Sequence, residues 1–327
     1  MDDFRVIFAR TGGPEVLETA PADAAADLRA GQVRVRHEAI GFNLIDIYFR
    51  TGVNPVGALP SGIGLEAVGT VEAVGDGVDY LSPGQRVGYA TGELGSYSTV
   101  RNMPADLVFP VPDWLPADLG AALLTKGMTT DMLVNQCAKV QPGQTALVLA
   151  AAGGVGSLLV QWLKAAGARV IAHAGSPEKA ARAAALGADE ALSCPYNELP
   201  AQVKALTGGR KANVIFESVG ADSWAASMRC VARTGLIASF GNASGRPPAI
   251  TTRELADAGS IFVTRPNTFH YNDSREKRIA AMDRVFAMVE QGLIRADIGQ
   301  RFALKDAASA HATVELRKTV GSTVLLP

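Results

Sequence analysis

TALVLAAAGGVGSLLVQWLKAAGARVIAHAGS, residues 145–176, is the stretch that decides the fold. It contains an apolar run, a turn of small residues and glycines, a helical pattern and a second apolar run. A strand–turn–helix–strand unit of this kind holds the pyrophosphate of a dinucleotide, because amide N–H groups and the helix N-terminal dipole favour phosphate. The stretch therefore predicts a parallel, doubly wound dinucleotide-binding sheet of the Rossmann type.

The glycine turn matches the dinucleotide fingerprint imperfectly. Its three small positions are Ala151, Gly153 and Gly156, so alanine stands where the first glycine is expected. The context strengthens the match, because the turn follows a buried strand and opens a helix predicted over 155–166. The alternative interpretation is an ordinary strand–helix turn without a ligand.

The second strand of the unit indicates which dinucleotide binds. NAD-binding proteins place an acidic residue about 20 residues past the glycines, where it bonds the ribose 2′-hydroxyl. The strand end IAHAG carries none, and Ser176 and Lys179 follow it. A hydroxyl and an ammonium group attract a 2′-phosphate, so we predict NADP(H). Alternatively, Lys179 is a solvated residue in the first turn of a helix.

Composition narrows the class of protein. The chain has 327 residues, which favours two domains, and its formal net charge of −1 gives no reason to expect nucleic acid or an acidic membrane as a partner. We find no apolar run of about 18 residues and no signal-peptide pattern at the first residues. Three scattered cysteines and four scattered histidines form no metal-ligand pattern, so we expect a cytoplasmic protein without a metal site.

The pattern of predicted secondary structure changes near Ala121. Short alternating segments with Gly and Pro turns come before it and predict a β-barrel-like domain. Strand and helix patterns alternate after it and predict a parallel sheet covered by helices. The last segments return to strand, helix and strand, and we expect them to rejoin the first domain. The predicted domains are therefore 1–122 with 267–327, and 123–266.

Several motifs together give the chain a resemblance to a known family. They are GGPEVLE, GFNLIDIYFRTG, LPSGIGLEAVGTVEAVGDGV, GQRVGYA, TKGMTTDMLV, AAAGGVG, SFGNASG and VTRP. The chain resembles, over essentially its whole length, the zinc-free quinone oxidoreductases of the medium-chain dehydrogenase/reductase superfamily. The resemblance implies a GroES-like barrel domain, a Rossmann domain, a catalytic cleft between them, and NADPH as the cofactor.

The resemblance also implies that no catalytic metal is bound. Zinc-dependent relatives have a ligand cysteine and a ligand histidine at the positions of Asn43 and Leu65. An amide and an isobutyl group cannot replace a thiolate and an imidazole around Zn²⁺. The cysteine-rich loop for a structural zinc is also missing.

Carried over by position, the family's cofactor contacts fall on residues from both predicted domains. The resemblance implies that Asn43, Asp46 and Thr129 lie at the nicotinamide end of the cleft, that Gly153, Gly154, Val155 and Gly156 surround the pyrophosphate, and that Ser176 and Lys179 bind the 2′-phosphate. It also implies that Ser218 and Val219 line the adenosine side, that Phe240, Gly241 and Asn242 border the nicotinamide, and that Arg317 contacts the cofactor from the C-terminal segment.

Two positions depart from the family pattern. Cys194 stands where a tyrosine usually touches the adenosine, and Asn54 stands where many members have an aromatic residue near the substrate. The first departure bears on adenosine-side affinity, and the second on which substrates fit.

The activity that the resemblance implies is reduction of a quinone by hydride from NADPH. Asn43 is the predicted donor to the developing quinol oxygen, and Asp46 or Tyr48 orients it or relays a proton, unless water does so. The sequence leaves open whether electrons move as a hydride or singly. The alternatives are reduction of conjugated enones or alkenals, and a non-catalytic NADPH-binding or RNA-associated role. The segment GSIFVTRP predicts an exposed edge strand and therefore a homodimer.

Overall fold

The computed structural model describes residues 3–22, 27–316 and 319–327. The chain divides into two compact units, one of residues 1–128, 272–286 and 296–327, and the other of residues 129–271 and 287–295. The α/β fold class is as predicted. The domain boundaries at 122/123 and 266/267 stay a prediction.

The strands, in chain order, are β1 (Phe4–Phe8), β2 (Leu17–Pro21), β3 (Gln32–Gly41), β4 (Ser61–Gly62), β5 (Glu66–Val74), β6 (Arg86–Ala90), β7 (Val100–Pro104), β8 (Val108–Pro110), β9 (Thr145–Leu149), β10 (Arg169–His173), β11 (Glu190–Leu192), β12 (Ala212–Glu217), β13 (Val231–Ser239), β14 (Phe262–Thr264), β15 (Ile298–Ala303) and β16 (Ser322–Leu326).

The helices, in chain order, are α1 (Leu44–Arg50), α2 (Ala117–Asp131), α3 (Gly154–Ala165), α4 (Pro177–Ala185), α5 (Leu199–Leu206), α6 (Trp224–Cys230), α7 (Thr252–Asp257), α8 (Thr268–Tyr271), α9 (Arg275–Glu290) and α10 (Ala307–Glu315). A π-helical turn, Met132–Cys137, continues α2.

The first unit is built on mostly antiparallel strands. One sheet has the order β15-β16-β3-β5-β6-β8, with β7 also paired to β3, and a smaller sheet has the order β2-β1-β4. β16 pairs with β3 through Val324 and Gly41, which confirms that the last segments rejoin the first part of the chain. Fully buried side chains such as Val35, Tyr89 and Leu325 form its core.

The second unit is a six-stranded sheet with the order β11-β10-β9-β12-β13-β14, and its strand pairs are parallel. Numbered along the chain, this is the order 3-2-1-4-5-6 of a Rossmann sheet, as the glycine turn predicts. Strand order reverses between β9 and β12, and sheets of this kind bind ligands outside the carboxyl ends of the strands at such a point. Leu147, Ile171 and Ile215 fill the core between sheet and helices.

One predicted element is shorter than its sequence pattern. DSWAASMRCVAR, residues 222–233, reads as a helix, but α6 ends at Cys230 and β13 begins at Val231. Val231 pairs with Ala212 of β12, so the ladder of the parallel sheet overrides the helical pattern. The left-handed backbone of Thr234, with a φ of 55°, lies inside β13 near the register shift of that pair.

Within the described ranges, the helices are too short or too polar to span a bilayer.

Candidate active site

The glycine turn leaves backbone N–H groups at the start of α3 without partners in the helix. β9 ends at Leu149, Gly153 is the N-cap of α3, and no side chain caps this helix end. The first α-helical bond runs from the Ser157 N–H to the Gly153 carbonyl, at 2.8 Å. The N–H groups at Gly154, Val155 and Gly156 therefore precede the regular bonds of the helix, and an anion at this end would satisfy them.

Gly156 is required by the close approach of α3 to the end of β9. A Cβ atom at this position would lie 2.3 Å from the Ala150 carbonyl oxygen and 2.9 Å from the Ala151 Cα. Ala150 itself has a φ of 49°, a left-handed conformation that costs a non-glycine residue about 1–2 kcal/mol. Alanine at 151 is fully buried, so the missing first glycine does not open the turn. The turn fits the pyrophosphate of a dinucleotide.

Ser176 and Lys179 lie just after the carboxyl end of β10. The Ser176 hydroxyl is the N-cap of α4 and accepts the Lys179 backbone N–H at 3.3 Å, while both side chains stay partly exposed. The fully exposed Glu178 stands between them, and a hydrogen bond from the Ser176 hydroxyl lowers the pKa of its carboxyl. A 2′-phosphate here would therefore be near the Lys179 ammonium group, the Ser176 hydroxyl and the Glu178 carboxylate.

Tyr196 supplies an aromatic ring near the position where the family pattern has a tyrosine and this chain has Cys194. Its ring centroid lies 4.9 Å from that of His173, the last residue of β10. His173 is held in place by its Nε2 atom, which lies 2.8 Å from the Cys194 carbonyl oxygen. An aromatic ring therefore lies beside the carboxyl end of β10, although position 194 itself is a cysteine.

The loops after β12 and β13 hold each other through backbone bonds. The N–H groups of Phe240 and Ser244 donate to the carbonyls of Glu217 and Val219, both at 2.8 Å. A Cβ atom on Gly241 would lie 2.4 Å from the Ser218 carbonyl oxygen, so this approach needs glycine.

Glu217, the last residue of β12, is a residue that our sequence reasoning missed. Its fully buried carboxylate accepts the N–H groups of Val219 and Gly220 at 2.8 and 3.0 Å, and the hydroxyls of Ser223 and Ser227. The sequence signal was an acidic residue at the end of an apolar strand. A carboxylate buried there needs several hydrogen-bond donors, so it predicts a cluster of polar groups around it.

The structure brings most of the predicted cofactor residues of the second unit to one edge. Four neighbouring parallel strands, β10, β9, β12 and β13, end there. The residues that follow them are Ser176 and Lys179; Gly153, Gly154, Val155 and Gly156; Ser218 and Val219; and Phe240, Gly241 and Asn242. Thr129 lies in α2, half-buried, and Arg317 lies outside the described residues.

The first unit carries a buried polar cluster at the start of α1. Asp46 is fully buried, and its Oδ2 atom accepts the backbone N–H of Asn43 at 2.9 Å and the Tyr97 hydroxyl at 3.0 Å. The Tyr97 oxygen lies 3.4 Å from Nε2 of the buried His311. Sequence reasoning found Asn43 and Asp46 but missed Tyr97 and His311, which are far away along the chain.

A buried carboxylate holds the side chain of Asn43. Glu66, the first residue of β5, has no exposed surface and accepts the Asn43 Nδ2–H at 2.6 Å. Lys126, which is 7% exposed, lies 3.7 Å from the same carboxylate and donates to the Phe42 carbonyl at 3.0 Å. Neither Glu66 nor Lys126 was predicted.

Tyr48, the other predicted catalytic residue, is half-buried on α1. It lies two residues after Asp46, and residues at that spacing do not face each other on a helix. The hydroxyl beside Asp46 is therefore that of Tyr97, and Tyr48 is directed to another side of α1.

Burial controls the protonation of this cluster. It raises the pKa of Asp46 to about 7, with the nearby Glu66 acting in the same direction, although the bonds from Asn43 and Tyr97 and the charge of Lys126 oppose it. Burial likewise raises the pKa of Tyr97 well above its usual range and lowers that of His311 to about 3, helped by Arg50. At neutral pH the imidazole and the phenol are uncharged, and Asp46 is divided between its two forms.

Replacing Asp46 by asparagine is expected to stabilise the fold at high pH. A raised pKa means that the contribution of Asp46 to the free energy of unfolding is full below its unfolded pKa, near 3.8, and is lost as the pH rises through about 7. Asparagine stays neutral and keeps an oxygen acceptor. The Tm difference, Asp46→Asn minus parent, should grow by several degrees between about pH 4.5 and about pH 8.

The exposed Asp113→Asn is the matched control, and its Tm difference should not change with pH. Burial lowers the pKa values of His37 and His311, so their contributions to stability change with pH in the opposite direction to that of Asp46. Both histidines are present in the parent and in the variant, and their effects therefore cancel in the Tm difference. A Tm difference for Asp46→Asn that is constant from acid to alkaline pH would contradict a raised pKa.

Among the described residues, no three His, Cys, Asp or Glu side chains are grouped as metal ligands would be.

Comparison with known proteins identifies the family. Residues 154–278 match the zinc-binding dehydrogenase family and residues 29–113 the alcohol dehydrogenase GroES-like domain. The chain is 45% identical to a quinone oxidoreductase of Pseudomonas aeruginosa over 99% of both chains, and 38% identical to a 2-haloacrylate reductase of a Burkholderia species over 91% of both. The crystal structure of Escherichia coli quinone oxidoreductase complexed with NADPH superposes with a TM-score of 0.95 at 40% identity, covering 99% of this chain and 100% of that one. With a Rossmann sheet, a GroES-like unit and this degree of identity over its full length, the chain belongs to the quinone oxidoreductases of the medium-chain dehydrogenase/reductase superfamily.

Proposed function

We propose that the protein reduces quinones with NADPH, by hydride transfer and without a metal. The observation that carries this proposal is the edge where β10, β9, β12 and β13 end. There the uncapped N-terminus of α3 and the pair Ser176 and Lys179 offer sites for a pyrophosphate and a 2′-phosphate. The similarity to a quinone oxidoreductase crystallised with NADPH supports it.

The residues of the second unit bind and orient the cofactor. The N–H groups at Gly154, Val155 and Gly156 face the pyrophosphate, and Lys179 with the Ser176 hydroxyl holds the 2′-phosphate. Ser218 and Val219 line the adenosine side, and the segment 240–242 borders the nicotinamide. Thr129 and Arg317 complete this set as proposed contacts.

The chemistry does not require a Lewis acid. Bound NADPH supplies a hydride, and a quinone accepts it readily because its reduction regains an aromatic ring. Asn43 and Leu65 occupy the positions of two zinc ligands in zinc-dependent relatives, and neither side chain is a zinc ligand. The protein supplies position and polarity instead of a metal.

Asn43 and Asp46 act on the oxygen that is reduced. One N–H of the Asn43 amide is bound to Glu66 at 2.6 Å, and the second N–H donates to the quinone oxygen as charge develops on it. Reduction to the hydroquinone also takes up one proton. Asp46 holds that proton on its Oδ1 atom, since Oδ2 is occupied by Asn43 and Tyr97 and Oδ1 has no hydrogen-bond partner among the described residues. The half-buried Tyr48 on α1 and water are the alternative sources of this proton.

The second candidate function is reduction of an electron-poor carbon–carbon double bond. The similarity to a 2-haloacrylate reductase favours it, because a haloacrylate has a double bond conjugated with a carboxyl group. Asn54, which replaces an aromatic residue of many members, is the position where the two substrate classes would be distinguished. A role as an NADPH-binding or RNA-associated protein without turnover is the third possibility.

Steady-state NADPH oxidation with one panel of quinones and one of enones separates the three functions. We expect the quinones to have the higher kcat/KM. Higher kcat/KM for the enones would assign the second function, and NADPH binding without turnover of either panel would assign the third.

We also propose a homodimer in the cytoplasm, formed through β14. This strand is the last in its sheet, pairs with β13 on one side, and leaves Phe262 64% exposed. An apolar edge strand that stays open promotes aggregation, and pairing with a second copy of β14 closes it. The free cysteines Cys137, Cys194 and Cys230 suit a reducing compartment.

Replacing Phe262 by aspartate is expected to convert the dimer into monomers. A charge on each strand at the pairing edge adds repulsion and removes apolar burial. Light scattering after gel filtration would measure the molecular mass in solution. A protein concentration of about 10 μM is high enough for a specific dimer with a micromolar Kd to form. Leu293→Asp, also at an exposed apolar position, is the control and should stay dimeric. A monomeric mass for the parent protein would refute the proposal.

A further inference from the structure

Glu66 is built into the first unit as a fully buried carboxylate. Its Oε1 atom accepts the Asn43 Nδ2–H at 2.6 Å, and its Oε2 atom accepts the Thr125 backbone N–H at 2.5 Å. The Lys126 ammonium group lies 3.7 Å from Oε1 and is itself almost fully buried. One carboxylate thus joins the residue before α1 to the middle of α2.

The surrounding backbone leaves room for this carboxylate. Gly41 is paired with Glu66 across β3 and β5, and a Cβ atom on Gly41 would lie 2.1 Å from Glu66 Oε1 and 2.4 Å from the Ala121 carbonyl oxygen. Any larger residue at 41 would displace Glu66 from Asn43. The absence of a side chain at Gly41 therefore leaves the space that Glu66 needs to bind Asn43.

Stability alone does not account for the pair of Glu66 and Lys126. Burying two charges carries a large desolvation cost, and apolar residues of similar volume often stabilise a protein as well or better. The bond to Asn43 is the feature that an apolar replacement would lose.

We propose that Glu66, with Lys126 as its counter-ion, is a positioning residue that fixes the side-chain amide of Asn43 with its nitrogen turned towards β5. A carboxylate only accepts hydrogen bonds, so it selects the Nδ2 end of the amide. The second N–H is then presented to the ligand in one orientation. The inference rests on the proposed function, because it concerns the group that contacts the quinone oxygen.

Orientation matters because an asparagine amide turns easily. The last torsion of the side chain has a broad, roughly two-fold preference, so an unrestrained amide exchanges its oxygen and nitrogen positions. With the oxygen in the place of the nitrogen, Asn43 would repel the developing negative charge that it should stabilise. A charge-assisted bond to Glu66 keeps the donor in place before the reaction begins.

The test compares Glu66→Gln and Glu66→Asp with the parent protein and with Glu72→Gln, which removes an exposed carboxylate of β5 that pairs with Arg36. We expect Glu66→Gln to lower kcat about tenfold, less than the loss of a whole donor group. The NADPH Kd should stay the same, Glu66→Asp should recover part of kcat, and Glu72→Gln should match the parent. A solely structural role would instead reduce thermal stability and all kinetic constants together.

The resonances of the Asn43 side-chain amide give a readout independent of activity. In protein labelled with ¹⁵N-asparagine, one Nδ2 proton of Asn43, assigned by its absence in Asn43→Ala, should lie far downfield and exchange slowly with solvent. It should move upfield in Glu66→Gln. This measurement on the parent protein stands even if the variants fail to fold, and an Asn43 amide with ordinary shifts and fast exchange would overturn the inference.

The outcomes separate this inference from the proposed function. If Asn43→Ala loses turnover while Glu66→Gln keeps it, Asn43 acts without the help of Glu66 and the inference is wrong. If neither variant loses turnover, the proposed role of Asn43 is wrong, and the positioning inference fails with it.

Discussion

Asn43→Ala is expected to lower kcat/KM for a quinone about 100-fold while NADPH binds as before. Removing one preorganised donor from an oxyanion site costs on the order of 2.7–4 kcal/mol, or about 10²–10³-fold in rate. A quinone needs less stabilisation than an ester or amide, which places the effect at the low end. The buried bond from Asn43 to Glu66 supports the estimate, because it fixes the amide before substrate arrives.

The measurement is kcat and KM for the quinone together with the NADPH Kd from fluorescence. Asn102→Ala, which removes another asparagine amide of the same unit bonded to Arg34, is the control and should leave turnover unchanged. If the NADPH Kd rises and turnover at saturation survives, Asn43 holds the cofactor or a loop instead. An unchanged kcat at saturating NADPH and quinone would remove Asn43 from the chemistry.

Lys179→Ala is expected to weaken NADPH binding about 10- to 100-fold and to leave NADH binding nearly unchanged. A hydrogen bond to a charged group contributes roughly 1.5–3 kcal/mol, and the 2′-phosphate is the only group that distinguishes the two cofactors. Lys179 lies in the first turn of α4, beside the N-cap Ser176. The carboxylate of the neighbouring Glu178 would repel the phosphate, and the ammonium group of Lys179 offsets this repulsion.

Fluorescence titration with both cofactors measures this effect, and Lys204→Ala, on the exposed side of α5, is the control. An equal loss of affinity for NADPH and NADH would mean that Lys179 supports the helix and does not recognise the phosphate.

The glycine turn could be predicted from sequence because its determinants are local. The close approach of α3 to Ala150 demands glycine at 156, only six residues away, and the structure places α3 one residue from its predicted start. The parallel sheet followed from the same pattern, since strands that alternate with helices are connected by crossovers that keep them parallel. The end of α6 did not follow, because pairing of Val231 with β12 decides it.

The buried cluster of the first unit could be predicted only in part. Asn43 and Asp46 share one short motif, whereas Glu66, Tyr97 and His311 reach them through sheet pairing and the return of the chain. Single polar residues within apolar segments, such as Lys126 in ALLTKGM, were the signal for these partners. Such a residue indicates that a hydrogen-bonding or ionic partner exists, but it does not identify that partner.

The most direct test of quinone reduction by NADPH without a metal is an anaerobic stoichiometry measurement on chelator-treated protein. Metal content is determined on the same sample, and NADPH loss and hydroquinone formation are followed together. The account predicts one hydroquinone for each NADPH, at the rate of the untreated protein, with far less than one metal ion per chain. Stoichiometric zinc in the purified protein, with activity lost on its removal and restored by its return, would contradict the account.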